Sequence, residues 1–108
     1  MLYLFNTTIV PNEGTFKNTK VSTEEAIEIF KKKSTFTSAL GHQGSADAFN
    51  TVFQPEEPIQ VNRIQAQLDL YDSALCLKVI GRLAEGQILT LEALNQVGFE
   101  FYLITRIA

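Results

Sequence analysis

Residues 63–82 decide the fold, and they read Arg63-Ile64-Gln65-Ala66-Gln67-Leu68-Asp69-Leu70-Tyr71-Asp72-Ser73-Ala74-Leu75-Cys76-Leu77-Lys78-Val79-Ile80-Gly81-Arg82. Apolar and polar residues alternate on both sides of a possible turn at Asp72-Ser73. Alternation with a period of two is typical of a strand with one buried face, and two such runs around a short turn indicate a β-hairpin. The stretch therefore predicts two antiparallel strands.

The register of this hairpin follows if Asp72 and Ser73 are the two turn residues. The facing pairs on one side are then apolar: Leu70 with Leu75, Leu68 with Leu77, and Ala66 with Val79. The other side is mostly polar, with Gln67 facing Lys78 and Arg63 facing Arg82. Because a slip of one residue would mix the two sides, the pattern strongly specifies this register.

Capping and turn residues predict the other elements. A strand covers residues 2–6, and a short strand covers residues 15–21. A helix over residues 23–33 is expected to begin with the capping box of Ser22 and Glu25. A second helix, over residues 46–53, has Ser45 as its cap. A third, over residues 91–97, begins after Thr90 and ends at Gly98. A final strand covers residues 99–107 and is long enough to be central. The fold class is therefore α+β, with a mixed sheet of about five strands and helices packed on one face.

Composition limits the classes of function. At 108 residues the chain is expected to form one domain, residues 1–108. A net charge of -3 argues against a binder of duplex nucleic acid. No apolar run approaches the roughly 18 residues of a membrane span, so we expect a cytoplasmic protein without a membrane partner. One cysteine and one histidine are too few for a structural zinc site, and no metal is expected.

Two groups of residues could carry chemistry. His42 has the side chain whose ordinary pKa, about 6.5, suits proton transfer near neutral pH, and Gly44 and Ser45 lie beside it where free backbone amides could bind an anion. The alternative is that His42 is a solvated loop residue. Facing guanidinium groups at Arg63 and Arg82 would repel each other unless an acid such as Glu85, the solvent or an anionic ligand intervenes. The spacing leaves these alternatives open.

Four motifs resemble one known family: Tyr3-Leu4-Phe5-Asn6, Leu40-Gly41-His42, Asn62-Arg63, and Arg82-Leu83-Ala84-Glu85-Gly86-Gln87-Ile88-Leu89-Thr90. The chain is similar, from about Leu2 to Ile107, to the viral ring nucleases that act as type III anti-CRISPR proteins. Related proteins of that family occur on bacterial mobile elements and prophages.

The resemblance implies a two-fold homodimer that binds cyclic tetra-adenylate across its axis. It further implies cleavage to linear di-adenylate with 2′,3′-cyclic phosphate ends, without a metal ion or other cofactor. By the resemblance, His42 is the general acid, Arg82 contacts the ligand, and Glu85 lies in the active centre. Further ligand-binding residues are expected at Asn6, Ser45 and Arg63, to which we add Gly44 and Lys78.

Two other functions remain open at this point. One is a module that sequesters a cyclic nucleotide without efficient turnover. The other is a small interaction protein of a mobile element, in which the arginines merely pair with acids.

Overall fold

The computed structural model describes residues 1–8, 12–33, 35–81 and 89–108. Within these ranges the chain forms, in order, β1 (Leu2–Phe5), β2 (Phe16–Val21), α1 (Thr23–Lys32), β3 (Thr37–Ser38), α2 (Gln43–Phe53), β4 (Ser73–Val79), α3 (Leu91–Val97) and β5 (Phe99–Arg106). The strands form one sheet in the order β2-β5-β4-β1-β3. β1 is parallel to β3 and β4, whereas β5 is antiparallel to β2 and β4. The predicted α+β class with a mixed five-stranded sheet is confirmed.

Short-range capping signals correctly placed two of the helices. Ser22 accepts a hydrogen bond from the Glu25 amide, and the Glu25 side chain accepts one from the Ser22 amide, so the capping box at the start of α1 is complete. Thr90 caps α3 with a single bond, which its hydroxyl accepts from the Ala93 amide. Gly98 ends α3 with a φ of 84°, a conformation that favours glycine.

The two faces of the sheet are covered differently. Alternate residues of β4 point to opposite faces. Leu75 and Leu77 join a core with residues of the helices, such as Phe49 in α2 and Leu94 in α3. On the other face a smaller core contains Phe5, Ala66, Leu68, Ala74, Cys76 and Ile104. The helices therefore pack on the first face, and the segment around residues 66–68 covers part of the second.

The predicted hairpin over residues 63–82 is wrong. Both edges of β4 are already occupied, by β1 on one side and β5 on the other. Residues 61–69 form no strand and instead cross the second face, where Leu68 is buried while Leu70 is 50% exposed. The Asn12 side chain accepts a hydrogen bond from the Leu68 amide at 3.1 Å and donates one to the Leu68 carbonyl at 3.0 Å. These two bonds take the place of those that a neighbouring strand would make with Leu68.

Two further boundaries differ from the sequence-based expectation. Helix α2 begins at Gln43 with His42 as its N-cap, so Ser45 lies within the first turn and is not the cap. His42 has the extended backbone of an N-cap residue but makes no side-chain cap, so the preference for a serine cap pointed to the wrong residue. The two-residue strand β3 was not predicted, since so short a strand leaves no periodic signal.

None of the helices in the described ranges is long and apolar enough to cross a membrane.

Candidate functional site

The carboxyl ends of three parallel strands meet at one edge of the sheet. Asn6 directly follows β1, the Gly41–His42 segment comes shortly after β3, and Gly81 comes shortly after β4. In sheets with parallel strands and helical crossovers, ligands bind at this edge. A cleft of about 390 Å³ lies here, lined by Asn6, His42, Gly44, Ser45, Leu77, Val79 and Gly81.

His42 lies at the mouth of this cleft with an exposed imidazole. Its backbone caps α2, but its side chain makes no capping hydrogen bond. Within the described ranges the imidazole takes part in neither a hydrogen bond nor an ion pair. Both ring nitrogens are therefore available to a ligand, as a proton donor in catalysis requires.

The first turn of α2 presents backbone N–H groups at the same place. The amides of Gln43, Gly44 and Ser45 precede the first bond of the helix, which the Ala46 amide makes to the His42 carbonyl at 3.3 Å. A Cβ atom added at Gly44 would meet nothing within 4 Å, so the backbone there is open to an approaching group. No acidic residue lies in this turn. Helix N-termini with these properties favour anions.

The segment before His42 is held by residues 60–63. Arg63 donates its Nε–H to the Gly41 carbonyl at 3.0 Å, and Asn62 donates its side-chain N–H to the Ser38 carbonyl at 2.8 Å. The Asn62 amide also donates to the Leu40 carbonyl at 2.9 Å. Arg63 thus lies beside the His42 segment, where its remaining guanidinium N–H groups are exposed, and not within the hairpin that the sequence suggested.

Asn6 connects the His42 cleft with two smaller ones. A cleft of about 250 Å³ is lined by Asn6, Thr7, Thr8, Cys76 and Lys78. Another of about 170 Å³ is lined by Phe5, Asn6, Thr7, Ala39, Ile64, Gln65 and Ala66. Leu77 and Val79 point to the helix-covered face of β4, and Lys78 points to the opposite face. Because Asn6 lines clefts with both sets of residues, it lies where the two faces of the sheet meet.

Lys78 has an acidic neighbour across the sheet. Glu100 lies directly opposite Lys78 in the β4–β5 pair. The Tyr102 hydroxyl donates a hydrogen bond to the Glu100 carboxylate, and Lys20 forms an ion pair with it at 3.3 Å. The hydrogen bond from Tyr102 is the main cause that lowers the pKa of Glu100, helped by Lys20, and the same bond raises the pKa of Tyr102. An ionised carboxylate therefore faces the Lys78 ammonium and partly offsets its charge.

The structure brings together part of the site expected from sequence. Asn6, His42, Gly44 and Ser45 line a single cleft, as their shared assignment requires. Arg63 contacts the backbone directly before His42, and Lys78 lines the neighbouring cleft. Arg82 and Glu85 lie outside the described residues.

Sequence reasoning gave no site role to the pair Thr7-Thr8, nor to Asn62, which entered only as part of the resembling motif Asn62-Arg63. The available signal was the hydroxyl-rich run that directly follows the buried strand β1. The motif did not indicate what Asn62 does, because its side chain contacts a residue more than twenty positions away. In the described part of the chain, no three His, Cys, Asp or Glu side chains are grouped so that they could hold a metal ion.

The fold and the cleft define a class: a small α+β protein with a cleft at the carboxyl ends of its parallel strands, where polar groups and backbone amides meet an apolar wall. Comparison with known proteins gives the family. Residues 2–101 match the model of the STIV B116-like family, and the chain belongs to that family.

Relatives of the chain occur in viruses and in a bacterium. The chain is 40% identical to protein ORF117 of Acidianus two-tailed virus over 112 residues, covering 99% of this chain and 94% of that protein. It is 34% identical to protein 26 of Sulfolobus islandicus filamentous virus (isolate Iceland/Hveragerdi), covering 95% and 89%. YddF of Bacillus subtilis (strain 168) is 26% identical over 103 residues, with 94% of each chain covered.

A solved structure shows the same fold. B116 of Sulfolobus turreted icosahedral virus superposes on 95% of this chain and 97% of its own, with a TM-score of 0.75 and 23% sequence identity. The overall fold is therefore shared with a viral protein of known structure.

Proposed function

We propose that this chain is a metal-independent ring nuclease that opposes type III CRISPR signalling. It binds cyclic tetra-adenylate across the axis of a homodimer and cleaves it to linear di-adenylate with 2′,3′-cyclic phosphate ends. The observation that supports this best is the unpartnered imidazole of His42 at the N-terminus of an 11-residue helix, in one cleft with Asn6 and Ser45.

The cleft offers the groups that a phosphodiester needs. Backbone amides of the first turn of α2 bind phosphate oxygens, and the open space at Gly44 lets them approach closely. Arg63 adds a guanidinium whose geometry matches phosphate oxygens. Lys78 adds a second cation on the far side of Asn6. A local cationic site of this kind is compatible with an acidic chain, because binding depends on the nearby charges.

A dimer supplies enough positive charge to match the four phosphates of the ring. One chain contributes Arg63, Arg82 and Lys78, and a two-fold axis doubles each of them. Four arginines then meet the four phosphates of the cyclic ligand. The symmetry of the protein also matches the symmetry of the ring, so both halves can be cut by equivalent sites. Static light scattering at micromolar concentration tests this part: a mass near 24 kDa, twice 12.1 kDa, supports it and a mass near 12.1 kDa contradicts it.

The chemistry is an in-line displacement within the ligand. A ribose 2′-hydroxyl attacks the adjacent 3′-phosphorus, the new P–O2′ bond forms, and the P–O5′ bond breaks. Protonated His42 gives its proton to the departing 5′-oxygen. By the family resemblance Arg82 contacts the ligand and Glu85 lies in the active centre. We therefore assign stabilisation of the developing phosphorane charge to Arg82, and we propose Glu85 as the acceptor of the 2′-hydroxyl proton. The products are a 5′-hydroxyl and a 2′,3′-cyclic phosphate.

Paired ligands test the nucleophile. Purified protein in excess EDTA is incubated with cyclic tetra-adenylate and with the same ring methylated at every 2′-oxygen, and binding and products are followed in parallel. We expect both rings to bind and only the unmethylated ring to be cut. Cleavage of the methylated ring would contradict the mechanism. Tight binding of the native ring without cleavage would show a sequestering module, and no binding of either ring would indicate an interaction protein.

A further inference from the structure

The segment that carries His42 is held between two other segments of the chain. On one side, the Ala39 amide donates to the Leu4 carbonyl of β1 at 3.0 Å. On the other side, residues 60–63 run alongside residues 38–41. The loop before α2 is therefore enclosed, although His42 itself is exposed.

Asn62 makes two of the contacts on the second side. Its side-chain N–H donates to the Ser38 carbonyl at 2.8 Å, and its backbone amide donates to the Leu40 carbonyl at 2.9 Å. These two bonds fix the carbonyl groups two and four residues before His42. Arg63 adds a bond to the Gly41 carbonyl at 3.0 Å, and the Ser38 hydroxyl donates to the Gln60 carbonyl at 2.6 Å.

The Asn62 side chain is suited to holding the Ser38 carbonyl because its amide is uncharged. The amide supplies a neutral N–H donor at an exposed position, where it can hold a carbonyl without adding charge beside the cleft. Its neighbour Arg63 is left with guanidinium N–H groups that can reach a ligand. Asn62 thus holds the 38–41 backbone through neutral contacts, whereas Arg63 holds the same backbone and also presents a cation.

We infer that Asn62 is a positioning residue that sets the placement of the His42 imidazole through the 38–41 backbone. This inference rests on the proposed function, since it assigns His42 a task that depends on placement. Misplacing a catalytic group by about 1 Å costs on the order of 100-fold in rate. Asn62 would accordingly affect turnover while leaving ligand binding largely unchanged.

The test compares Asn62→Ala with Asn18→Ala. Asn18 is an exposed asparagine on β2, at the opposite edge of the sheet, and serves as the matched control. We expect Asn62→Ala to lower the single-turnover cleavage rate of cyclic tetra-adenylate by roughly 10- to 100-fold. The dissociation constant for the 2′-O-methylated ring should change less than threefold. Equal rates in both variants, or a loss confined to binding, would overturn the inference.

A double variant shows whether Asn62 acts through His42. If it does, Asn62→Ala adds no further loss of rate to His42→Ala, whereas independent contributions would add. A further tenfold loss in the double variant would contradict the positioning role. Asn62→Leu, which keeps the branched shape of the side chain, lacks the N–H donor and adds no charge, replaces Asn62→Ala if the alanine variant does not fold.

A spectroscopic measurement separates this inference from the proposed function. His42 is the only histidine of the chain, so its imidazole gives one set of proton resonances. We expect those resonances to shift in Asn62→Ala and to stay in place in Asn18→Ala, whether or not the protein cleaves a ring. Unchanged His42 resonances in Asn62→Ala would overturn the positioning role, while lack of cleavage by the wild type would overturn only the proposed function.

Discussion

Arg63 donates its Nε–H to the carbonyl oxygen of Gly41 at 3.0 Å, so a residue 22 positions further along the chain holds the backbone immediately before His42. The contact joins the segment that crosses the second face of the sheet to the segment that enters α2. It places a cation beside the backbone that leads into His42 and uses only the Nε–H of the guanidinium group. Arg63 therefore has both a structural task and, in the proposed function, a ligand to bind.

Replacement of Arg63 tests this double role. Arg63→Ala removes a charge-assisted contact to phosphate and should weaken binding of cyclic tetra-adenylate by tenfold or more. Arg63→Lys restores the charge but not the planar fork, so its affinity should lie between those of the alanine variant and the wild type. Lys33→Ala is the matched control, because Lys33 lines a groove with Phe53 at the far end of α2 from His42, and the 11-residue helix is about 16 Å long. Equal weakening in the Lys33 and Arg63 alanine variants would contradict a specific role for Arg63.

The corrected path of residues 61–70 predicts unequal costs for two leucines. Leu68 is fully buried, whereas Leu70 is 50% exposed. Leu68→Ala should lower the free energy of unfolding by about 2–5 kcal/mol, and Leu70→Ala by less than about 1 kcal/mol. Urea denaturation measures both. The hairpin register placed both leucines on one buried face, so similar large losses would support the hairpin and contradict the structure.

The capping box of α1 gives a prediction about stability alone. Ser22→Ala leaves the Glu25 amide without its side-chain acceptor and should cost about 1 kcal/mol of unfolding free energy. Thermal denaturation detects this loss as a fall in Tm. The dissociation constant for cyclic tetra-adenylate should not change, because α1 does not line the His42 cleft. A change in ligand affinity without a loss of stability would contradict the prediction.

Burial of Cys76 predicts a loss of stability at high pH. Desolvation raises the pKa of the thiol from 9.0 to about 11, and the nearby Lys78 opposes this only in part. The folded state therefore holds the thiol proton more tightly than the unfolded state does. Unfolding free energy contributed by this group is fully present below pH 9.0 and is lost as the pH rises through about 11.

Urea denaturation at pH 8, 9, 10 and 11 measures this loss, with Cys76→Ala as the variant that lacks the titrating group. The wild type should lose stability relative to Cys76→Ala between pH 9 and 11. At pH 8 the native thiol should also react slowly with a disulfide reagent, because the thiolate is the reactive form. Fast reaction of the native protein at pH 8, or identical pH dependence in the two proteins, would contradict the burial of Cys76.

Elements encoded by nearby residues were predictable from the sequence. Ser22 with Glu25 marks the start of α1, and Thr90 and Gly98 mark the two ends of α3. Each of these residues acts through a contact three or four positions away, and the structure confirms both helices. The hairpin failed for a different reason. Alternating polarity reports which side of a segment is buried, but not which strand lies beside it. Ala66 and Leu68 bury their side chains over the second face, and the Asn12 side chain supplies backbone bonds that a paired strand would have made.

The candidate site was predictable to a similar extent. Asn6 follows the buried strand β1, which the sequence predicted, whereas the strand before His42, β3, is half-buried and was not predicted. The parallel arrangement of β1 and β3 brings the two residues to one cleft. The neighbour of Arg63 was not predictable, because it depends on the path of a segment without regular structure. The residue types and the family resemblance thus named residues of the cleft, while the strand order that brings them together and the contacts that hold them needed the three-dimensional structure.

The most direct test is the time course of cyclic tetra-adenylate cleavage in excess EDTA by the wild type, His42→Ala and Lys33→Ala. General acid catalysis typically contributes 100-fold or more, so we expect His42→Ala to bind the ring and cut it at least roughly 100-fold more slowly. The wild type and Lys33→Ala should both produce linear di-adenylate with 2′,3′-cyclic phosphate ends. Equal cleavage by the wild type and His42→Ala, or an intact ring with every protein, would contradict the account.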